Sequence, residues 1–192
     1  MIVIVSAEDA EERLASGTMD CPVCGGVLRK WGFTRTRTVR GLGAAAVTVR
    51  PARVRCAECE RTQVLLPTAL QVRRADTTEV IGTALVHKAN GLGYRRIAER
   101  LHRPESTVRR WLRRVPPDHL HWMHTQASQR LIKITIDVFS TIRYQGNQLH
   151  HTLTMLAAAA FHDRARFGFD DPPWSLIGMY TRGRLLAPPR GG

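Results

Sequence analysis

Lysine is almost missing from this chain of 192 residues: Lys30, Lys88 and Lys133 stand against 26 arginines. Acidic side chains are scarce too, 16 against 29 basic ones, which leaves a net charge of +13. Long apolar runs are absent. The longest, Met155 to Phe161, falls far short of the roughly 20 residues that cross a bilayer. Met1 to Val5 is too short for a signal core and acidic residues follow closely, so no targeting segment is expected. The expected location is cytoplasmic, with reduced thiols, and nucleoid-associated in a bacterial cell. No lysine-rich amphipathic helix flanked by large apolar residues is present, which argues against a membrane partner. The sequence also lacks a phosphate-cradling glycine loop, a nucleophile elbow and paired catalytic carboxylates. Neither an enzymatic activity nor a small-molecule substrate is expected.

What remains is an arginine-dominated chain with enough hydrophobic residues, 43%, to bury a core. A charge excess of this size calls for an anionic partner, and nucleic acid is the commonest. Arginine suits that partner because its planar fork binds phosphate and base edges in bidentate fashion. The length fits one or two small domains.

The four cysteines fall in two pairs at one spacing, Cys21-Pro22-Val23-Cys24 and Cys56-Ala57-Glu58-Cys59. Each C-x-x-C forms a tight turn whose thiolates point the same way, and two such turns complete a tetrahedral shell. One structural Zn2+ per chain is therefore expected on Cys21, Cys24, Cys56 and Cys59. Four thiolates leave no open position for catalysis. A redox pair would need only one such motif, and a disulfide has no secretion signal behind it. The sequence predicts strands over 27–31, 45–50, 53–56 and 63–66, punctuated by Gly41-Leu42-Gly43 and Pro51. Residues 20–68 thus read as a zinc ribbon, with metal binding contributing about 10–16 kcal/mol to its folding. Arg29, Lys30, Arg35, Arg37, Arg40, Arg50, Arg53, Arg55 and Arg61 make it a second basic surface. That surface either touches nucleic acid or props up the helices. Glu60 follows the second pair where Gly25 follows the first. Residues 1–19 predict a strand over 2–5 and a helix over 7–15, capped by Ser6 and stopped by Gly17.

Residues 76–115 read as three helices. The first spans 77–89, capped by Asp76 and ended at Asn90-Gly91, after a linker over 70–76. The stretch from Gly91 to Arg114 supplies the other two. Ile97, Ala98 and Leu101 form one apolar stripe; Val108, Trp111 and Leu112 form another. Pro104 suits the first position of the last helix, where its missing N–H has no partner to lose. At about 100° per residue, that helix buries Val108, Trp111 and Leu112. It turns Ser106, Arg109, Arg110 and Arg113 outward, with Thr107 and Arg114 on a flank. An outward face of one charge sign suits the major groove, where arginine binds guanine and hydroxyls serve phosphates or bases. Arg95, Arg96 and Arg100 are candidate phosphate contacts on the preceding helix. At the turn, His102 and Arg103 stand where a helix-turn-helix commonly has glycine and an apolar residue.

Residues 117–184 read as a helical region opened by Asp118. Leu120, Ala127 and Ile134, and likewise His124, Leu131 and Val138, recur at heptad-like spacing. Ile132, Ile134, Ile136 and Val138 also alternate as in a strand. After Gln145-Gly146-Asn147 the helical spacing returns at Leu149, Leu153, Leu156, Ala160 and Phe167. Two such helices either fold back on each other or pair with a second copy, and a homodimer is the expectation. Asp170-Asp171 caps a last helix over 174–180, and residues 185–192 are expected to be disordered. His119, His121 and His124 read as surface residues, as do His150, His151 and His162. Asp137, Asp163, Asp170 and Asp171 lack the strand context of a magnesium site.

A ribbon built on Cys21, Cys24, Cys56 and Cys59, followed by a helix-turn-helix over 76–114, resembles the N-terminal DNA-binding region of bacterial insertion-sequence transposases. The likeness covers about half of the chain. In that family a much longer nuclease domain with three acidic residues comes next. Here only the short helical region follows, and no acid triad can be matched. The resemblance implies DNA recognition without strand transfer. The expected fold class is α+β: a small four-cysteine zinc ribbon, a trihelical helix-turn-helix domain and a helical C-terminal region. The expected function is zinc-dependent, sequence-specific binding of double-stranded DNA, as a transposase-like recognition module or a transcriptional regulator. The alternatives are an RNA-associated zinc ribbon and an accessory subunit of a transposase or nuclease.

Overall fold

The structure, a computed structural model, describes residues 1–168, 170 and 172–188. It is α+β, with the strands ahead of most of the helices. β1 (Ile2–Ile4) leads into α1 (Ala7–Ala15). Then come β2 (Leu28–Phe33), β3 (Arg37–Arg40), β4 (Ala46–Val49), β5 (Ala52–Cys56) and β6 (Thr62–Pro67). Ser6 caps α1 by accepting from the N–H groups of Glu8 and Asp9. Four strands form one sheet in the order β1-β6-β5-β2, and β3 with β4 makes a separate hairpin. β1 joins β6 in parallel, with Ile2 opposite Leu65. Residues 1–19 are therefore not a unit apart, as expected from sequence, but an edge of the ribbon sheet. Ala10 of α1 is buried with Ile4, Met19, Leu28, Val54 and Leu65. β3 escaped the sequence reading because its one apolar residue, Val39, gives no alternation; Val39 is buried on Leu66 and Leu70.

The helices are α2 (Thr78–Ala89), α3 (Tyr94–Leu101), α4 (Glu105–Leu112), α5 (Pro117–Ile134), α6 (Ile136–Thr141), α7 (Gln148–Phe167) and α8 (Pro173–Tyr180). One apolar core runs from Ile81 and Leu85 through Ile97, Val108 and Trp111 to Met123, Leu156 and Leu176. The three-helix segment thus shares its core with residues 117–184 and does not stand alone. Two glycines allow this packing. A Cβ on Gly82 would lie 2.2 Å from the Trp174 ring, and one on Gly178 would lie 2.2 Å from the Thr68 carbonyl.

α5 and α7 pack on each other within one chain. Met123, Ala127 and Leu131 are the buried stripe of α5; Leu153, Leu156 and Ala160 belong to that of α7. Leu120, His124, Ile134 and Val138 are only half-buried, and Phe167 is exposed. The expected heptad stripe is thus shifted, and of the two pairings left open by the sequence, the two helices fold back on each other. The strand alternation over 132–138 is not used, since α5 gives way to α6 at Thr135, which is extended at φ −158°. Asp118 sits in the first turn of α5, whose cap is Pro116. Pro172 holds the cap position of α8; Asp170 is exposed, and Asp171 lies outside the described residues. Asp163 is fully buried. It accepts from Arg130 at 2.5 and 2.7 Å and from the Tyr180 hydroxyl, so its oxygens tie α5, α7 and α8 together. No helix among the described residues is long and apolar enough to cross a membrane.

The expected linker over 70–76 is packed: Leu70, Gln71 and Asp76 are buried. The end of the chain folds back on it. The Val72 N–H donates to the Gly183 carbonyl, and the Leu185 N–H donates to Gln71 Oε1 at 2.8 Å. The Ala187 N–H donates to the Arg114 carbonyl at 2.8 Å, and Leu185 and Leu186 are buried. Disorder from residue 185 onward is corrected by these contacts for 185–188; residues 189–192 lie outside the described ones.

Candidate nucleic-acid interface and metal centre

The two cysteine turns meet because β2 pairs with β5, setting Leu28 opposite Cys56. The Ala57 N–H donates to the Val27 carbonyl at 3.0 Å and locks the turns side by side. In the first turn the Gly25 N–H donates to the Cys21 carbonyl, with Gly25 at φ +75°. Glu60 takes the matching left-handed position after the second pair, at φ +56°. Its carboxylate pairs with Arg55 at 2.8 Å. All four Sγ atoms lie within 4.8 Å of one another. Cys21 and Cys59 are 3.7 Å apart, and Cys24 and Cys56 are 3.4 Å apart. Those separations are far beyond a disulfide bond of about 2.05 Å. They approach the roughly 3.8 Å edge of a sulfur tetrahedron with 2.3 Å metal bonds. The backbone N–H groups of Cys24 and Val23 pull the Cys21 thiol down to about 7, toward the thiolate a metal requires. The four cysteines can hold a metal ion.

The turn between α3 and α4 departs from the usual chemistry in a way that holds the molecule together. His102 adopts the left-handed conformation, φ 50° and ψ 51°, that glycine would take. Arg103 fills the apolar slot and is 8% exposed. Burying a guanidinium requires a partner for each donor group. Its Nε donates to Asp76 Oδ1 at 2.7 Å, and Nη1 reaches the Leu101 and His102 carbonyls at 3.0 and 3.1 Å. Nη2 donates to the Gly41 carbonyl in the β3–β4 hairpin at 2.6 Å. Arg40 of β3 pairs with the other oxygen of Asp76 at 2.8 Å. Asp76 is therefore not the cap of α2. Thr77 is, accepting from the Val80 N–H. Pro104 likewise sits one position earlier than expected, as the cap of α4, and α4 ends at Leu112 with Arg113 as its C-cap.

α4 is oriented as its pattern requires, except that Leu112 is only half-buried. Val108 is fully buried and Trp111 is 2% exposed. Ser106, Arg109, Arg110 and Arg113 are exposed, while Thr107 and Arg114 are half-buried on the flank. On α3, Arg95, Arg96 and Arg100 are exposed. Arg95 and Arg96 line an open concavity between α3 and α4 together with His102 and Glu105. Arg95 and Glu105 are 3.7 Å apart and both well exposed, so this pair contributes little.

Residues 77–116 match the homeodomain-like domain family. The homeodomain-like segment holds α2, α3 and α4, a three-helix variant of the helix-turn-helix, and points to DNA binding. No curated protein and no solved structure matches the chain.

Two residues near the homeodomain-like segment's outward face were missed from sequence. Tyr94 lies under two guanidiniums, those of Arg95 and Arg109, each 5.8 Å from its ring centroid. The ring gives the exposed Arg109 guanidinium a contact on the protein's own surface. A single tyrosine three residues before an apolar stripe carries no signal of that contact. Arg74 is half-buried, and its burial, with the charges of Arg114 and Arg110, lowers its guanidinium below the ordinary arginine value. It adds a third cation to the flank of α4. The Arg73-Arg74 pair was visible, but reading 70–76 as a linker hid it.

Proposed function

We propose that the protein binds double-stranded DNA in a sequence-specific way, with α4 in the major groove. The reading is carried by one observation: α4 buries Val108 and Trp111 and leaves Ser106, Arg109, Arg110 and Arg113 on one exposed face. Arg109, Arg110, Arg113 and Ser106 read base edges in this scheme. Arg95, Arg96, Arg100, Arg114 and Thr107 hold phosphates, joined by Arg74. Zn2+ is the metal proposed for Cys21, Cys24, Cys56 and Cys59, because four thiolates in a tetrahedral arrangement suit it. The site would be structural, holding the ribbon whose hairpin braces the helix-turn-helix turn through Arg103. The proposed setting is a bacterial cytoplasm. The proposed role is that of a transposase-like recognition module or a transcriptional regulator, without catalysis.

Binding to cognate and random duplexes tests this. Arg109→Ala is expected to cost about 1–3 kcal/mol on the cognate site and relax sequence choice. Arg96→Ala weakens all duplexes alike and reduces the salt dependence. Equal losses on both DNAs from both variants would overturn the roles. The cognate sequence comes from selection out of a random duplex pool; a palindromic site marks a homodimer, and an asymmetric one a monomer.

A further inference from the structure

The sheet face around Trp31 takes no part in the reading of α4. β2 and β5 set Arg29 opposite Arg55, and the register slips between Lys30 and Gly32. Leu28, Val54 and Cys56 enter the ribbon core. Alternation therefore turns Arg29, Arg53 and Arg55 to the opposite face. The slip is a β-bulge, with Gly32 at φ +117°. It places Trp31 on the arginine face, 54% exposed. The Arg55 guanidinium stands 4.6 Å from the Trp31 ring centroid. It is fixed there, since Nε donates to the Glu60 carbonyl at 3.2 Å and Nη2 pairs with the Glu60 carboxylate. Arg29 and Arg53 are exposed and have no ion-pair partner among the described residues.

An exposed indole beside one fixed guanidinium and two unpaired ones fits a narrow class of partner. An apolar protein surface would leave Arg29 and Arg53 unpaired. A duplex offers phosphates but hides its base faces in the stack. An unpaired nucleotide offers both a base face and a phosphate. We propose that Trp31, with Arg29, Arg53 and Arg55, is a stacking site for an unpaired base of single-stranded DNA. The site is separate from the α4 surface; only the choice of DNA over RNA rests on the duplex reading of α4.

The test uses the zinc-loaded full chain and three labelled probes: oligothymidylate about 12 nucleotides long, oligouridylate of the same length, and a blunt duplex. Trp31→Ala is expected to weaken oligothymidylate binding by about fivefold or more and leave blunt-duplex binding unchanged. Trp31→Phe keeps most of the affinity. The tryptophan quenching that oligothymidylate produces in the native chain is lost in Trp31→Phe. Equal affinity of native and Trp31→Ala protein for oligothymidylate, or quenching that survives in Trp31→Phe, overturns the site. Oligouridylate bound more tightly than oligothymidylate overturns the assignment to DNA. Failure of blunt-duplex binding with Trp31-dependent binding of oligothymidylate intact would instead sink the α4 reading and leave this site standing.

Discussion

The ribbon and the helical part of this chain are stabilised in opposite ways. Eight buried residues form the main ribbon core, and two of them are the cysteines Cys21 and Cys56. Among the described residues, the helical core draws on 22 buried ones from six helices and the segment after α8. A sheet with so little apolar area to hide has four clustered thiols able to share a metal, whereas the helices close on a large apolar core with the buried Asp163–Arg130–Tyr180 network set into it. The two also use arginine differently. On the ribbon sheet and on α4 the guanidiniums face outward. At the seam, Arg103 is buried and holds Asp76, the Gly41 carbonyl and its own turn.

Metal removal should split the two parts most sharply. With Zn2+ in the ribbon as proposed, a strong chelator would withdraw about 10–16 kcal/mol of binding free energy. Loss of strand signal in circular dichroism, with the helical signal retained, is the expected result. Simultaneous loss of both would mean that the helices lean on the metal. The seam comes next. Arg103→Ala leaves Asp76 buried with only the half-exposed Arg40, and should cost about 3–5 kcal/mol in chemical denaturation. Replacing Asp76 and Arg103 together with apolar residues should cost less than the single change.

The left-handed positions sharpen the contrast at smaller scale. His102→Gly should stabilise the helical part by about 0.5–1 kcal/mol, because glycine carries no Cβ penalty there. Glu60→Gly should gain less, since it also removes the pair with Arg55. The smallest effect is one of pH. Burial, then the charges of His151 and His121, lowers the His124 imidazole, which stacks on His151 at 5.0 Å. A base lowered in the folded state takes up protons more readily when unfolded. The stability it contributes is therefore complete above about pH 6.5 and is lost as pH falls below that value. Melting of the helical signal between neutral and mildly acidic pH should show this slope, and His124→Gln should flatten it.

Much of this was legible in residue spacing. The C-x-x-C pairs named a metal site because a two-residue gap fixes the turn, and the sulfurs do gather. The burial of Trp111 and exposure of Arg109 followed from helical period alone. Ser6 announced the start of α1 by its side-chain oxygen, whereas Asn147, read only as part of a chain break, proves to cap α7. Period and local hydrogen-bonding chemistry act over a few residues, so one strand of sequence holds them in full.

Partners distant along the chain were decided only in three dimensions. Asp76 looks like a cap until Arg103, 27 residues away, takes its carboxylate. Arg103 itself reaches the Gly41 carbonyl across 62 residues. β1 looks like a separate beginning until β6 pairs with it, and the tail looks idle until Leu185 settles on Gln71. The apolar faces of α5 and α7 were plain in sequence, but not whether they would meet each other or a second copy. Burial is a property of all the surfaces that compete for a side chain, and that competition is resolved only when the whole chain has folded.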